Sequence, residues 1–179
     1  MGKKNKVIKK DLILFLSVLI VIIFSRMFLL SNIIVHGESM NPSLEDKERI
    51  FGLKIGEIER FDIISFKAPT ESGDPEKNYI KRVIALPGET ITYADDSLYI
   101  NGEKITEPFL GELKQALPSN ELLTEDNFTY SVPENHYFVM GDNRRNSTDS
   151  RVIGSISEDK IIGNAKFSYW PINKIGTVR

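Results

Sequence analysis

Two residues of this chain are able to do acyl-transfer chemistry together. Ser39 lies in Gly37-Glu38-Ser39-Met40-Asn41-Pro42-Ser43-Leu44, and Lys81 follows about forty residues later in Tyr79-Ile80-Lys81-Arg82-Val83-Ile84-Ala85-Leu86-Pro87-Gly88-Glu89. A serine hydroxyl attacks a carbonyl when a base takes its proton. Lys81 can be that base once its amine is neutral. On a strand, alternate side chains share a face, so Tyr79, Lys81, Val83 and Ala85 form one row. Burial among aromatic and aliphatic neighbours disfavours the ammonium. A base for neutral pH needs a pKa fall of about three units from ~10.4, or about 4 kcal/mol. Arginine would stay charged. The alternative for Lys81 is a strand lysine that snorkels to water, and Ser39 alone is one hydroxyl among many.

Other nucleophiles and ligands are scarce. Absence of cysteine excludes disulfides, thiol catalysis and thiolate metal sites. The two histidines leave a Ser-His-Asp triad as an alternative. His36 precedes Ser39 by three positions, where an extended segment would aim it away. His136 opens an apolar run and reads as a strand-end polar residue. With no clustered partners, neither suggests a zinc site; no metal and no cofactor are expected. A third polar element is Gly141-Asp142-Asn143-Arg144-Arg145-Asn146-Ser147-Thr148-Asp149-Ser150-Arg151. It reads either as a solvated loop or as a rigid one. Short Asn, Asp, Ser and Thr side chains bond the backbone readily, and its Asp and Arg residues can pair.

The elements that must position these groups begin with the first thirty residues. Five lysines and no acids occupy residues 1–10, leaving 18 basic and 25 acidic side chains in the rest of the 179-residue chain. That acidic remainder argues against a nucleic-acid partner. Leu12 to Leu30 is apolar apart from Ser17, Ser25 and Arg26, and as a helix would span about 28 Å, near the ~30 Å hydrocarbon core. Arg26 sits near the end, where it can snorkel. The lysines place the N-terminus in the cytoplasm and the remainder outside. The rival reading is a cleavable signal peptide; Val35-His36-Gly37 is its weak, late cleavage site. Hydrophobic content of 41% and charged content of 27% suit one globular domain after this segment. Strands are expected at Arg49–Leu53, Phe61–Phe66, Tyr79–Leu86, Thr90–Tyr93, Leu98–Ile100, Tyr137–Met140 and Ile161–Trp170. Turn signals separate them, among them Ser72-Gly73-Asp74-Pro75 and Asp95-Asp96. Asn101-Gly102 predicts a hairpin into Glu103-Lys104-Ile105. The expectation is an all-β fold, an antiparallel sandwich or barrel-like domain behind one N-terminal transmembrane helix. Its division is a basic tail over 1–11, an anchor over 12–30 and an extracytoplasmic domain over 31–179. Residues 106–132, polar and broken by Pro108 and Pro118, read as a surface excursion.

Four segments in this order, Ser39–Leu44, Arg60–Phe66, Tyr79–Glu89 and Gly141–Arg151, resemble the type I signal peptidases, and the single anchor and short length resemble Gram-positive members. The resemblance covers most of the chain outside 105–132. It implies Ser39 as nucleophile and Lys81 as general base. It implies that the Ser147 hydroxyl helps orient the lysine amine and that Asp149 and Arg151 form a supporting ion pair. Asp142 and Arg144 match family loop positions. Met40 and Leu44 match residues near the pocket for the side chain before the scissile bond, and Ile80 a wall of the pocket two residues further back. Walls of this kind exclude large side chains, giving a small-x-small preference. The chain departs from some relatives at three positions: Gly37 stands where Gram-negative members have a serine that assists the oxyanion hole, Arg145 replaces an acid, and Ser43 a threonine.

The implied activity is a membrane-bound serine endopeptidase that removes signal peptides from exported preproteins through an acyl-enzyme. Its partners would be those preproteins, the bilayer and the secretion channel. Two other readings compete. One is a Ser-Lys protease of the self-cleaving repressor type, which lacks an anchor and carries a DNA-binding segment. The other is a non-catalytic anchored β module, which gives Ser39 and Lys81 no reason to meet.

Overall fold

A computed structural model describes residues 2–69, 77–118, 120–125 and 127–178. The turn expected at Ser72-Gly73-Asp74-Pro75 lies outside them. Helix α1 runs Gly2–Phe28. Its Lys10–Phe28 stretch is long and apolar enough to cross a membrane, with a mean hydropathy of 2.3 and none of it buried against the rest of the chain. The apolar residues surround this helix instead of forming a stripe, as in a span that faces lipid. The helix stops at Phe28, two residues short of the expected anchor. Leu30 already belongs to β1 (Leu30–Ile34), where Ser31 and Ile33 point inward and Asn32 and Ile34 outward. The apolar run conceals this change of period in the sequence.

The rest is antiparallel sheet, as expected. The larger sheet contains β1, β2 (Arg49–Leu53), β3 (Ile63–Lys67) and β4 (Asn78–Ala85). The smaller one is built from β5 (Thr90–Ala94), β6 (Ser97–Ile100), β7 (Glu103–Ile105) and, after helix α2 (Gly111–Ala116), β8 (Phe128–Ser131). The chain then returns to the larger sheet with β9 (His136–Met140), helix α3 (Ser150–Ile153), β10 (Ile156–Ser157), β11 (Ile161–Trp170) and β12 (Gly176–Thr177). The larger sheet has the order β1-β2-β11-β3-β4-β9-β10, with β12 on β11; the smaller has the order β7-β6-β5-β8. Asn101 and Gly102 both take positive φ, 52° and 83°, and close the β6–β7 hairpin at the expected place.

Residues 106–132 differ from the expected surface excursion. They carry α2 and β8, which pairs with β5 through Thr90↔Ser131 to Tyr93↔Phe128. They also bury Glu107, Leu110, Leu123 and Thr124. Phe128 and Tyr130 stack toward Phe138 of β9, joining the two sheets in one apolar cluster. Four residues of alternating Phe-Thr-Tyr-Ser give too short a signal to outweigh the nearby prolines.

Strands β3 and β4 matter most for the site, because both are buried on both faces. Ile80 packs with Ile33, Val35, Met40 and Leu44. Val83 packs with Ile64, Phe66 and Val139, and Ile84 and Ala85 face the smaller sheet. A register shift between Val83 and Ala85 allows one strand to serve three clusters.

Candidate active site

Ser39 is presented by a turn whose ends are held in the core. After β1, Val35 is buried and Gly37 bends the chain with φ 80°, its N–H donating to Asp46 Oδ1 at 2.9 Å. The Asn41 N–H donates to the Glu38 carbonyl at 3.0 Å and the Leu44 N–H to the Met40 carbonyl at 2.9 Å. Pro42 prevents this short turn from extending as a helix. Met40 and Leu44 are fully buried beside Ile80, so the intervening backbone cannot drift far.

Lys81 reaches this turn from the middle of β4. Its Nζ lies 2.5 Å from Ser39 Oγ and 3.0 Å from the Ile80 carbonyl oxygen, to which it donates. The side chain is 4% exposed, and Nζ lies 5.3 Å from the centre of the Tyr79 ring. Among the described residues, no carboxylate lies within ion-pair distance of the amine. Burial pulls the Lys81 pKa down from 10.5 to about 8, against the charges of Asp149 and Asp142, which hold it up. The lysine is thus poised near neutrality, as a general base requires.

The polar loop from Gly141 to Arg151 is tied down by buried charge-assisted hydrogen bonds. Asp149, fully buried, accepts from the Gly141 N–H and from Nε and Nη2 of Arg151, each at 2.9 Å. Burial pushes the Asp149 carboxyl up, but Arg151 and the Gly141 N–H outweigh it and hold the group below the usual carboxylate range. Asp149 also caps α3. Asp142 forms a second fork with Arg82, at 2.9 and 2.7 Å. The loop grips the serine turn directly, since the Asn143 N–H donates to the Ser39 carbonyl and Asn143 Nδ2 to the Glu38 carbonyl, both at 3.1 Å. Gly141 is required there, because a Cβ would collide with the Ser39 carbonyl oxygen and Ser147 Oγ.

The other expected site residues fall around this centre. A cleft of about 550 Å³ is lined by Ser39, Lys81, Tyr79, Ile80, Asn146 and Thr148, among others. Met40 and Leu44 lie beneath it in the core and are not part of its lining. Ser147 lies in the loop as expected, but among the described residues no bond joins its buried Oγ to Lys81; it acts on the Asp149 carboxyl instead. Arg144 is paired with Glu107 and does not pair with Asp142. His36 lines the same cleft, exposed, with no hydrogen bond to Ser39, and His136 Nδ1 lies 2.9 Å from the Glu134 carbonyl oxygen. Sequence reasoning missed Arg82, Tyr93, Glu107 and Phe109. Only Arg82 carried a signal, being a charge inside an apolar strand.

Comparison with known proteins identifies the family. Residues 8–170 match the family described as Signal peptidase, peptidase S26. The chain is 45% identical over 156 residues to Signal peptidase I T of Bacillus subtilis (strain 168), covering 84% of this chain and 79% of that one. It is 41% identical over 182 residues to Signal peptidase I of Bacillus licheniformis, covering 97% and 94%. The crystal structure of a signal peptidase I from Enterococcus faecalis V583 superimposes with a TM-score of 0.56 at 40% identity, covering 62% of this chain and 98% of that one. The chain belongs to the S26 signal peptidase family and is a serine peptidase.

Proposed function

We propose that this protein removes signal peptides from exported preproteins with Ser39 as nucleophile and Lys81 as base. The observation that carries the reading is the 2.5 Å approach of Ser39 Oγ to a buried Lys81 amine. The neutral amine accepts the hydroxyl proton as Oγ attacks the carbonyl carbon of the scissile bond. The Ser39 main-chain N–H is a donor to the oxyanion that forms. The intermediate collapses, Lys81 returns the proton to the departing amine, and the signal fragment stays esterified to Ser39. A water that gives its proton to Lys81 then attacks the ester, and the serine regains its own. Asp149, Arg151, Asp142 and Arg144 hold the loop against the serine turn, and Ser147 is the loop hydroxyl assigned to orient the amine, although no bond joins the two in this structure. Ile80 lines the cleft, and Met40 and Leu44 pack beneath it as its support; together they would restrict the substrate to small side chains before the scissile bond and two residues further back.

The same reading divides the chain into a cytoplasmic tail over 1–11, an anchor over 12–30 and an outer catalytic domain over 31–179. Support comes from α1 and from an exposed apolar face on the adjoining strands. Phe51, Leu53, Phe167 and Trp170 are exposed there, with Ile172 and Ile175 close by in sequence. Such a surface suits contact with the bilayer. A preprotein leaving the secretion channel would meet the cleft at the membrane surface. The test is incubation of the detergent-solubilised protein with a model preprotein. Cleavage after its small-x-small site by the wild type and none by Lys81→Ala is expected; equal cleavage by both rejects the dyad.

A further inference from the structure

Behind the polar loop lies a second buried charged cluster that touches none of the reacting groups. Glu107, just before the short turn Pro108–Leu110, pairs with Arg144 Nη2 and accepts from the Tyr93 hydroxyl. Arg144 Nη1 donates to Tyr93 Oη at 2.6 Å and to Thr124 Oγ1 at 3.2 Å. Glu107, Tyr93, Thr124 and Arg144 are all buried. Burial pushes the Tyr93 phenol up, so it remains an O–H donor to Glu107. Phe109 closes the cluster, its ring centre 4.0 Å from Arg82 Cζ and 6.0 Å from Arg144 Cζ.

We propose that Glu107 is a positioning residue for the cleavage reaction, holding Arg144 and, through it, the loop that fixes Ser39 against Lys81. The inference rests on the Ser39–Lys81 reading above. The connection is continuous. Arg144 Nε donates to the Gly141 carbonyl at 3.1 Å, and Arg151 Nη2 to the Arg144 carbonyl at 2.8 Å. Between Gly141 and Arg144 lies Asn143, which donates to the carbonyls of Ser39 and Glu38. A buried guanidinium deprived of its carboxylate is an uncompensated charge and must turn or draw water to itself. Asp142, whose charge already acts on Arg144, feels the same change. Any such turn pulls on the Gly141 carbonyl and moves the Asn143 donors. A displacement of about 1 Å at the serine costs on the order of 100-fold in rate. The segment 106–132 thereby gains a role: it carries the carboxylate and the aromatic ring against which the loop is set.

The experiment compares full-length wild type with Glu107→Gln, the apolar pair Glu107→Leu/Arg144→Met, and Ser39→Ala and Lys81→Ala as controls. Each is assayed in detergent with a signal-peptide substrate, and unfolding is followed in parallel. Glu107→Gln is expected to lower kcat about 100-fold with KM nearly unchanged, because the cleft itself is intact. The apolar pair is expected to regain thermal stability, since no charge is left unpaired, yet to keep the low kcat. Should Glu107→Gln fail to fold, the apolar pair alone carries the test. Recovery of wild-type kcat together with stability in the pair would mean that the cluster only supports the fold, and overturns the inference. Wild-type kcat in folded Glu107→Gln, beside inactive Lys81→Ala, also overturns it while leaving the dyad intact. Wild-type cleavage by Lys81→Ala removes the dyad reading instead.

Discussion

Lys81 and Arg82 are adjacent on β4, and both are buried, at 4% and 1% exposure, but on opposite faces. On one face Arg82 meets Asp142 in a two-bond fork, donates to the Phe61 carbonyl at 2.8 Å and covers Phe109. Every feature there keeps a permanent cation satisfied. On the other face Lys81 meets a serine hydroxyl, a carbonyl and an aromatic ring, and its charge is balanced only from a distance by Asp149 and Asp142. Burial alone does not make a base. Burial without an adjacent carboxylate does, and the choice of lysine over arginine allows the proton to leave. The two carboxylates that could have paired with Lys81 are instead occupied by Arg151 and Arg82. The arginines therefore have a chemical consequence for the lysine, since they keep its potential counter-ions away.

The contrast is tested most severely by removing the proposed dyad. Ser39→Ala and Lys81→Ala should each lower kcat by about 10⁴-fold or more in a preprotein cleavage assay, and the double variant should be no worse than either. On the opposite face, Asp142→Ala removes the carboxylate fork from buried Arg82 and should destabilise the fold by about 3–5 kcal/mol, measured by denaturant unfolding. Arg82→Met/Asp142→Leu should recover most of that loss. A fully active, fully stable Asp142→Ala would erase the distinction between the two faces.

A subtler effect has the opposite sign. The Lys81 pKa falls from 10.5 to about 8 on folding, so the folded state bears a burial cost of about 3 kcal/mol while the amine is charged in both states. Lys81→Met should therefore be more stable than wild type at pH 7 by about 3 kcal/mol. Between pH 8 and 10.5 the folded lysine loses its proton before the unfolded one. Wild-type stability then rises with pH and the advantage of the variant shrinks. A variant no more stable than wild type at pH 7 would mean that Lys81 is well solvated. The smallest effect is expected at the histidines: His36→Ala and His136→Ala should leave cleavage unchanged, and a large loss at His36 would revive the histidine route.

The sequence made one part of this contrast legible and left the other hidden. β4 and β11 stand out because several apolar or alternating residues in a row repeat the strand period. Ser39 and Lys81 stand out through the motifs around them. β1 was obscured by the apolar helix that runs into it, and β8 by its length of four residues. Glu107 gives no local sign of its role, because its partner Arg144 is 37 positions away and both become notable only when buried together. Ser147 marks the limit of motif reading. Its place in the loop is as expected, but its hydroxyl makes no bond to Lys81 and instead helps hold down the Asp149 carboxyl.

The neutral amine is tested most directly by titrating Lys81 itself, with carbon-13 label at Cε followed by NMR in the detergent-solubilised protein. Lys81→Arg assigns the resonance by its disappearance. A midpoint near 8, together with a rise of kcat/KM through the same pH, is the expected result. A midpoint above 10, with kcat/KM already at its plateau at pH 7, would contradict it.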